Sequence, residues 1–441
     1  LAERALSFVS ADAAVVTVGS ARTGFTEFAL GEVTGASDTQ YATVGVLVAH
    51  GPRSAEVTTT RLDDASLRLA VEKAQALVAA ARVDEDDVAD DPGEAGAINA
   101  ALWHEGTLDV LLPARRAEAV RSAMAASARG GSLSGGVVGG AARSTAVLTS
   151  GGHFEYGRTS TAECTVTART RVAGVGQGSG WAAWKGEDWA LLDVEQLAQR
   201  AASLAQRTEK AVAVEPGRYT VVLSPMALSE LVGAIAAYGT LDGRSADEGR
   251  SPFSRPRGGT TIGEKIFDSK VTLSADPMDP DGGFLPFAVN GRHVTQYRAE
   301  TWARDGVLER LAYESAYARA RQKEPAENSG ALRMNGGGVA NDDLLAKVER
   351  GIYVTRFSHI GLVSFRTLLM SGVTRDGTFL IERGSLTTAV RDLRFEDSPM
   401  RLLQNVAALG TAVRVPVGGP PMVMPGAVVT DFLFTGMSHA V

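Results

Sequence analysis

The sequence predicts an α+β protein with an α/β N-terminal half and a strand-dominated C-terminal half. Three observations predict it. The 441 residues exceed what one hydrophobic core usually supports, so at least two domains are expected. Much of the chain alternates apolar and polar residues between its 49 glycines, as half-buried antiparallel strands do. Four long segments, all before residue 240, switch to a helical period.

The elements follow in order. "ADAAVVTVGSARTGFTEFALGEVTGASD" and "ATVGVLVAHG" read as strands. In "LDDASLRLAVEKAQALVAAARV", Leu67, Val71, Ala74, Leu77 and Val78 share one face and Asp63 or Asp64 offers an N-cap, so a helix is predicted. The acidic "VDEDDVADDPGEAG" has no apolar stripe and reads as a solvated loop. A second helix starts at Pro113 and stops at Gly130 and Gly131. Strands broken by glycine turns fill the stretch from "SLSGG" to "TARTRV", and Ser132 and Ser134 are expected in a turn. The third helix, "DVEQLAQRAASLAQRTEKA", opens with Asp193 three residues before Gln196, a capping-box arrangement.

"VVLSPMALSELVGAIAAYG" reads as a strand running into a helix with Ser224 as cap, Pro225 at the first position, and Leu228, Leu231, Val232 and Ile235 buried. Its side chains read as chemically bland. The glycine-rich stretch from "GTLDGRS" to "GGTTIG" is expected to be a mobile loop. Beyond it short strands dominate, interrupted by two helical pieces, "NDDLLAKVERG" and "EDSPMRLLQNVAALG", that end at Gly351 and Gly410.

A net charge of -7 with no basic run argues against nucleic acid as a partner. No apolar stretch approaches the roughly 18–20 residues of a membrane span, and the opening residues lack a secretion signal's basic end and apolar core. The single cysteine, Cys164, forms no internal disulfide and reads as a small buried hydrophobe on a strand. Cytoplasm is therefore the expected compartment.

Candidate chemistry is sparse. The histidines, at 50, 104, 153, 293, 359 and 439, never share a helical turn, whereas a zinc site needs such clustering or distant assembly. His104 and Glu105 adjoin without a second His. "DPMDPDGG" resembles a calcium loop but puts Pro277 and Ala288 where carboxylates belong, so a bent turn is expected. No Gly-x-Ser-x-Gly elbow, phosphate loop or dinucleotide fingerprint is present; "GVGQGSG" misses the spacing. The densest functional-looking stretch is "VTRFSHIGLVSFRTLLMSGVTRDGTFLIERG". It sets Arg356, His359, Arg366 and Arg375 among strand residues, with an Asp376-Gly377 turn. Cations spaced so along strands line a carboxylate-receiving channel or a solvated sheet face.

The order of "TGFTEFALGEVTGAS", the first helix, "EPGRYTVVLSPMALSELV", "GEKIFDSKVTLSADP", "RGIYVTRF" and "TRDGTFLIERGSLTTAVRDLRFEDSPMRLLQNVAALG" resembles the TldD/PmbA (TldD/TldE) family over nearly the whole chain. The resemblance implies an α/β region at 1–210, a β-rich, barrel-like domain at 211–441, and a two-chain assembly around a cavity. In the family one chain type carries zinc on a His-Glu-x-x-x-His helix with a downstream Cys, and the other, TldE or PmbA, lacks those ligands. Anchored on "VVLSP", the two His positions fall on Gly233 and Tyr238 and the Glu position on Ala234. None of the three supplies the ligand or base required.

The resemblance thus implies a metal-free, noncatalytic subunit with no catalytic or metal-binding residue of its own. Zinc is expected in a TldD-like partner, and small or unfolded peptides or peptide-like natural products are the expected substrates. Arg356, His359, Arg366 and Arg375 are the candidate channel- or partner-facing residues. A binding or scaffold protein without a hydrolase partner, and a self-sufficient hydrolase with an unrecognised site, stay open as alternatives.

Overall fold

Period-two alternation shapes the N-terminal half of the computed structural model, which describes residues 1–83, 94–170, 178–291, 293–416 and 418–438. Strands β1 (Ala13–Ala29), β2 (Glu32–His50), β3 (Arg53–Thr59), β4 (Ser132–Thr149), β5 (Phe154–Thr170) and β6 (Ser179–Gly186) form one antiparallel sheet in the order β3-β2-β1-β4-β5-β6. Most of the acidic run, the first residues of "GVGQGSG" and His439 lie outside the described residues. Ser132 and Ser134 sit inside β4 rather than in a turn, both buried, because the ladder with β5 begins at Ser132. Cys164 is buried on β5, and burial pushes its thiol up to about 12.

Because side chains alternate across a strand, the even-numbered residues of β1 share one face. Two separate helical layers cover its ends. Val16 packs with α1 (Ala2–Leu6) and α2 (Asp64–Val78), around Leu67, Val71 and Ala74. Phe28 packs with α3 (Pro113–Arg129) and α4 (Val194–Thr208), around Val120, Ala123, Ala198 and Ala201. The caps stand where the sequence puts them: Asp63 accepts from the Ser66 N–H and Asp193 from the Gln196 N–H.

The C-terminal half is organised by β7 (Gly217–Leu223), β8 (Arg350–Ser364), β9 (Leu369–Glu382), β10 (Leu393–Asp397) and β11 (Ala427–Met437). They pair in the order β8-β7-β11-β10-β9, and β9 pairs back to β8, closing a barrel. Phe357, Phe395, Phe432 and Phe434 fill it, with ring centroids 4.7 Å apart for Phe357–Phe395 and 5.1 Å for Phe432–Phe434. A second six-stranded sheet of shorter strands packs in the same core.

Three expectations are corrected here. The stretch expected to be a mobile loop folds a helical turn, Gly243–Asp247, capped by the Asp242 carboxylate, and buries Leu241, Ala246 and Phe253. Its apolar residues are few but long-range contacts bury them. Gly351 and Gly410 terminate no helix: the helical pieces are Asp342–Lys347 and Pro399–Gln404, and Gly351 lies within β8. Asp376 and Gly377 lie inside β9 instead of forming its turn, with φ of 53° and 135°, as a bulge of two residues opposite Thr355. Among the described residues no helix is long and apolar enough to cross a membrane.

Candidate functional site

Strand β7 ends at Leu223, where Ser224 caps α5 (Pro225–Val232) by accepting from the Ala227 N–H. Its neighbour β8 runs on, so from Thr355 onward β8 loses the partner that satisfied its edge. Side chains of the helix take over. The Ser224 hydroxyl donates to the Thr355 carbonyl at 2.5 Å, and the Phe357 N–H donates to Glu230 Oε2 at 2.5 Å. Glu230 is the only acid in the stretch that the sequence presents as bland; a lone carboxylate on an otherwise apolar helix was the signal available.

Around Glu230 a polar cluster joins the two halves of the molecule. Arg356 Nε lies 3.9 Å from Glu230 Oε1, Arg356 Nη1 lies 3.6 Å from Asp376 Oδ2, and the guanidinium covers the Trp181 ring at 4.4 Å. Ser179 donates its hydroxyl to Asp376 Oδ1 at 2.5 Å. Trp181 and Ser179 come from β6 of the N-terminal sheet, Arg356 and Asp376 from the barrel. Arg375 is paired directly across the ladder from Arg356 and acts electrostatically on Asp392. Of the four residues singled out in the sequence, Arg356 and Arg375 therefore meet in this cluster. His359 and Arg366 do not: they are exposed near the far end of β8 and in the turn that follows it.

Burial holds the Glu230 carboxyl up at about 7; the Phe357 N–H and Arg356 oppose the rise and the Asp376 charge adds to it. Burial likewise lifts Asp392 to about 6, against Arg375 and with Asp376. The cluster thus holds a proton close to neutrality.

A folded-state value raised from 4.5 to about 7 means that the fold prefers protonated Glu230. Its stabilising share is complete below about pH 4.5 and is lost as pH rises through about 7, roughly 3 kcal/mol at most. Glu230→Gln keeps an acceptor for Phe357 but cannot ionise. Its melting temperature is expected to fall less between pH 5 and pH 8 than that of the unsubstituted protein. Parallel curves for the two would refute the assignment.

The zinc positions implied by the resemblance fall on Gly233, Ala234 and Tyr238. The helix is interrupted at Gly233, which ends α5 and precedes the short α6 (Ala234–Ala237). A Cβ at Gly233 would stand 2.6 Å from Met422 Cε and 2.7 Å from its Sδ, so methionine occupies the space that a ligating side chain needs. Ala234 is buried and Tyr238 is exposed. These residues do not fit zinc. Among the described residues no group of three or more His, Cys, Asp or Glu is gathered as a metal would require. The calcium-like "DPMDPDGG" is a turn: the Asp279 carboxylate accepts the Asp281 and Gly282 N–H groups and pairs with Arg333, and Asn99 donates to the Asp279 carbonyl.

Residues 103–209 match the PmbA/TldA metallopeptidase central domain and residues 216–436 the PmbA/TldA metallopeptidase C-terminal domain. A "Metalloprotease" of Methanothermobacter thermautotrophicus is 26% identical over 244 residues, 51% of this chain and 50% of the relative. The chain thus spans about half the length of that curated relative. Among solved structures, TldE from Thermococcus kodakarensis superposes with a TM-score of 0.84 over 99% of each chain at 16% identity. A Thermotoga maritima protein does so with 0.83 over 96% of each at 17% identity. Likeness at such identities concerns the fold.

Proposed function

The chain belongs to the PmbA/TldD metallopeptidase family, and from that premise we propose that it is the metal-free, noncatalytic subunit of a two-chain zinc peptidase or amidase. The single observation supporting this reading is Met422 packed into the place where Gly233 lacks a side chain. In this reading the position filled by the thioether leaves the metal to another polypeptide, a TldD-like subunit. The share of this chain is to close the chamber, exclude folded proteins and shape a groove for an extended peptide or peptide-like substrate. No chemical step is assigned to its residues. A cytoplasmic setting belongs to the same reading, supported by one buried thiol and no disulfide.

Co-expression with a His-Glu-x-x-x-His relative from the same genome tests it. The expected result is a stable complex with one zinc per pair, peptide hydrolysis by the pair, and neither zinc nor hydrolysis in this chain purified alone. Stoichiometric zinc with activity in the isolated chain would overturn the proposal in favour of a self-sufficient hydrolase.

A further inference from the structure

The two helical layers on the even-numbered face of β1 do not meet. Between the end held by α2 and the end held by α3 and α4, the rung Ala42–Ser20–Ser144–Arg158 and, beside it, Gln40 and Arg22 remain uncovered. The gap is an open cleft of about 670 Å³, a size typical of ligand sites. Its floor is small and polar: Ser20 and Ser144 share a hydroxyl hydrogen bond at 2.8 Å. Trp103 forms a wall, fixed where the His104 N–H donates to Ser160 Oγ at 2.8 Å, and Tyr156 also lines the cleft.

Charge identifies the occupant. Arg22 and Arg158 bring two guanidiniums to the cleft and, among the described residues, no acidic residue lines it, in a chain whose net charge is -7. Arg22 and Arg158 are exposed and, among the described residues, neither is ion-paired. The carboxylates nearest in sequence and register are engaged: Asp38 accepts both of its bonds from Arg116 Nη2, and Glu105 accepts from Trp103 Nε1. Arg158 lies 4.4 Å over the Trp103 ring, which steadies the guanidinium and leaves its in-plane N–H groups free for a carboxylate. Arg22 and Arg158 stand two strands and one rung apart, about 12 Å between Cα atoms by sheet geometry. That span suits two carboxylates set three or four residues apart along an extended chain better than one small anion.

We propose that this cleft binds an extended acidic peptide segment, its carboxylates on Arg22 and Arg158 and its apolar parts against Trp103 and Tyr156. An extended polyphosphate fits less well, because two guanidiniums offset few of its charges in a chain whose net charge is -7.

The test is fluorescence anisotropy with the isolated protein and three labelled probes: a dodecapeptide of alternating Gly and Glu, its Gly–Gln counterpart, and an oligothymidylate. The Glu peptide is expected to bind, more weakly as salt is raised, and the Gln peptide not to bind. Arg22→Ala and Arg158→Ala, both at exposed positions, are each expected to weaken binding about tenfold without shifting the melting temperature. Failure of the Glu peptide to bind, equal binding of both peptides, tighter binding of the oligothymidylate, or undiminished affinity in the double variant would overturn the proposal.

Discussion

Asp38→Ala is expected to lower the stability of the N-terminal sheet domain by about 3 kcal/mol, seen as a melting temperature roughly 6–12 °C lower. Arg116, on α3, is wholly buried, and among the described residues its charge has one anionic partner: Nη2 donates to both Asp38 oxygens at 2.7 and 2.8 Å. Nε donates to Thr26 Oγ1 and Nη1 to the Val110 carbonyl, so the guanidinium is anchored but not neutralised by them. Removing Asp38 strands a buried cation, which costs more than the pair itself contributes. The figure stands at the low end of such losses because Asp38 is 47% exposed, so water can reach the vacated place.

The companion substitution separates the causes. In Asp38→Ala combined with Arg116→Met the stranded charge is gone, and the double variant is expected to be more stable than Asp38→Ala alone. A single variant that melts within a degree of the unsubstituted protein would show that the pair does not hold α3 to the sheet.

Restoring the family's ligand pattern in this chain is expected to fail. Gly233→His with Ala234→Glu and Tyr238→His should lower stability by about 1–3 kcal/mol at Gly233 alone, because the imidazole must displace Met422. The glutamate would add a carboxylate at a position now 5% exposed. Metal analysis of the purified triple variant should find far less than one zinc per chain. Adding Met422→Ala should recover part of the stability and still leave no third protein ligand in place. One tightly held zinc per triple-variant chain would show that the site needs only its side chains, and the packing argument at Met422 would fall.

What the sequence made legible was local. Asp63, Asp193 and Ser224 cap their helices where spacing predicts, because a cap needs only the residues that follow it. The strands of the N-terminal sheet announce themselves by alternation. The candidate site was legible by halves: Arg356 and Arg375 stood out as cations in a strand, while Glu230, Trp181 and Ser179 reach them only through the pairing of distant segments. Asp376-Gly377 misled for a related reason. The pair usually marks a hairpin, yet here its positive φ values accommodate a kink in mid-strand that puts the Asp376 carboxylate before Ser179 and Arg356. Arg116 left no trace in sequence either, since a buried arginine on a polar-looking helix is betrayed only by its partner 78 residues away.

Barrel closure has a consequence for biosynthesis. The strand Ala427–Met437 lies between Gly217–Leu223 and Leu393–Asp397, so the earliest barrel segment to leave the ribosome waits some two hundred residues for a neighbour on that side. The N-terminal sheet has all its strands by Gly186 and folds first. During the interval the nascent barrel presents bare backbone edges, a window in which chaperones have the greatest influence on the yield of native protein.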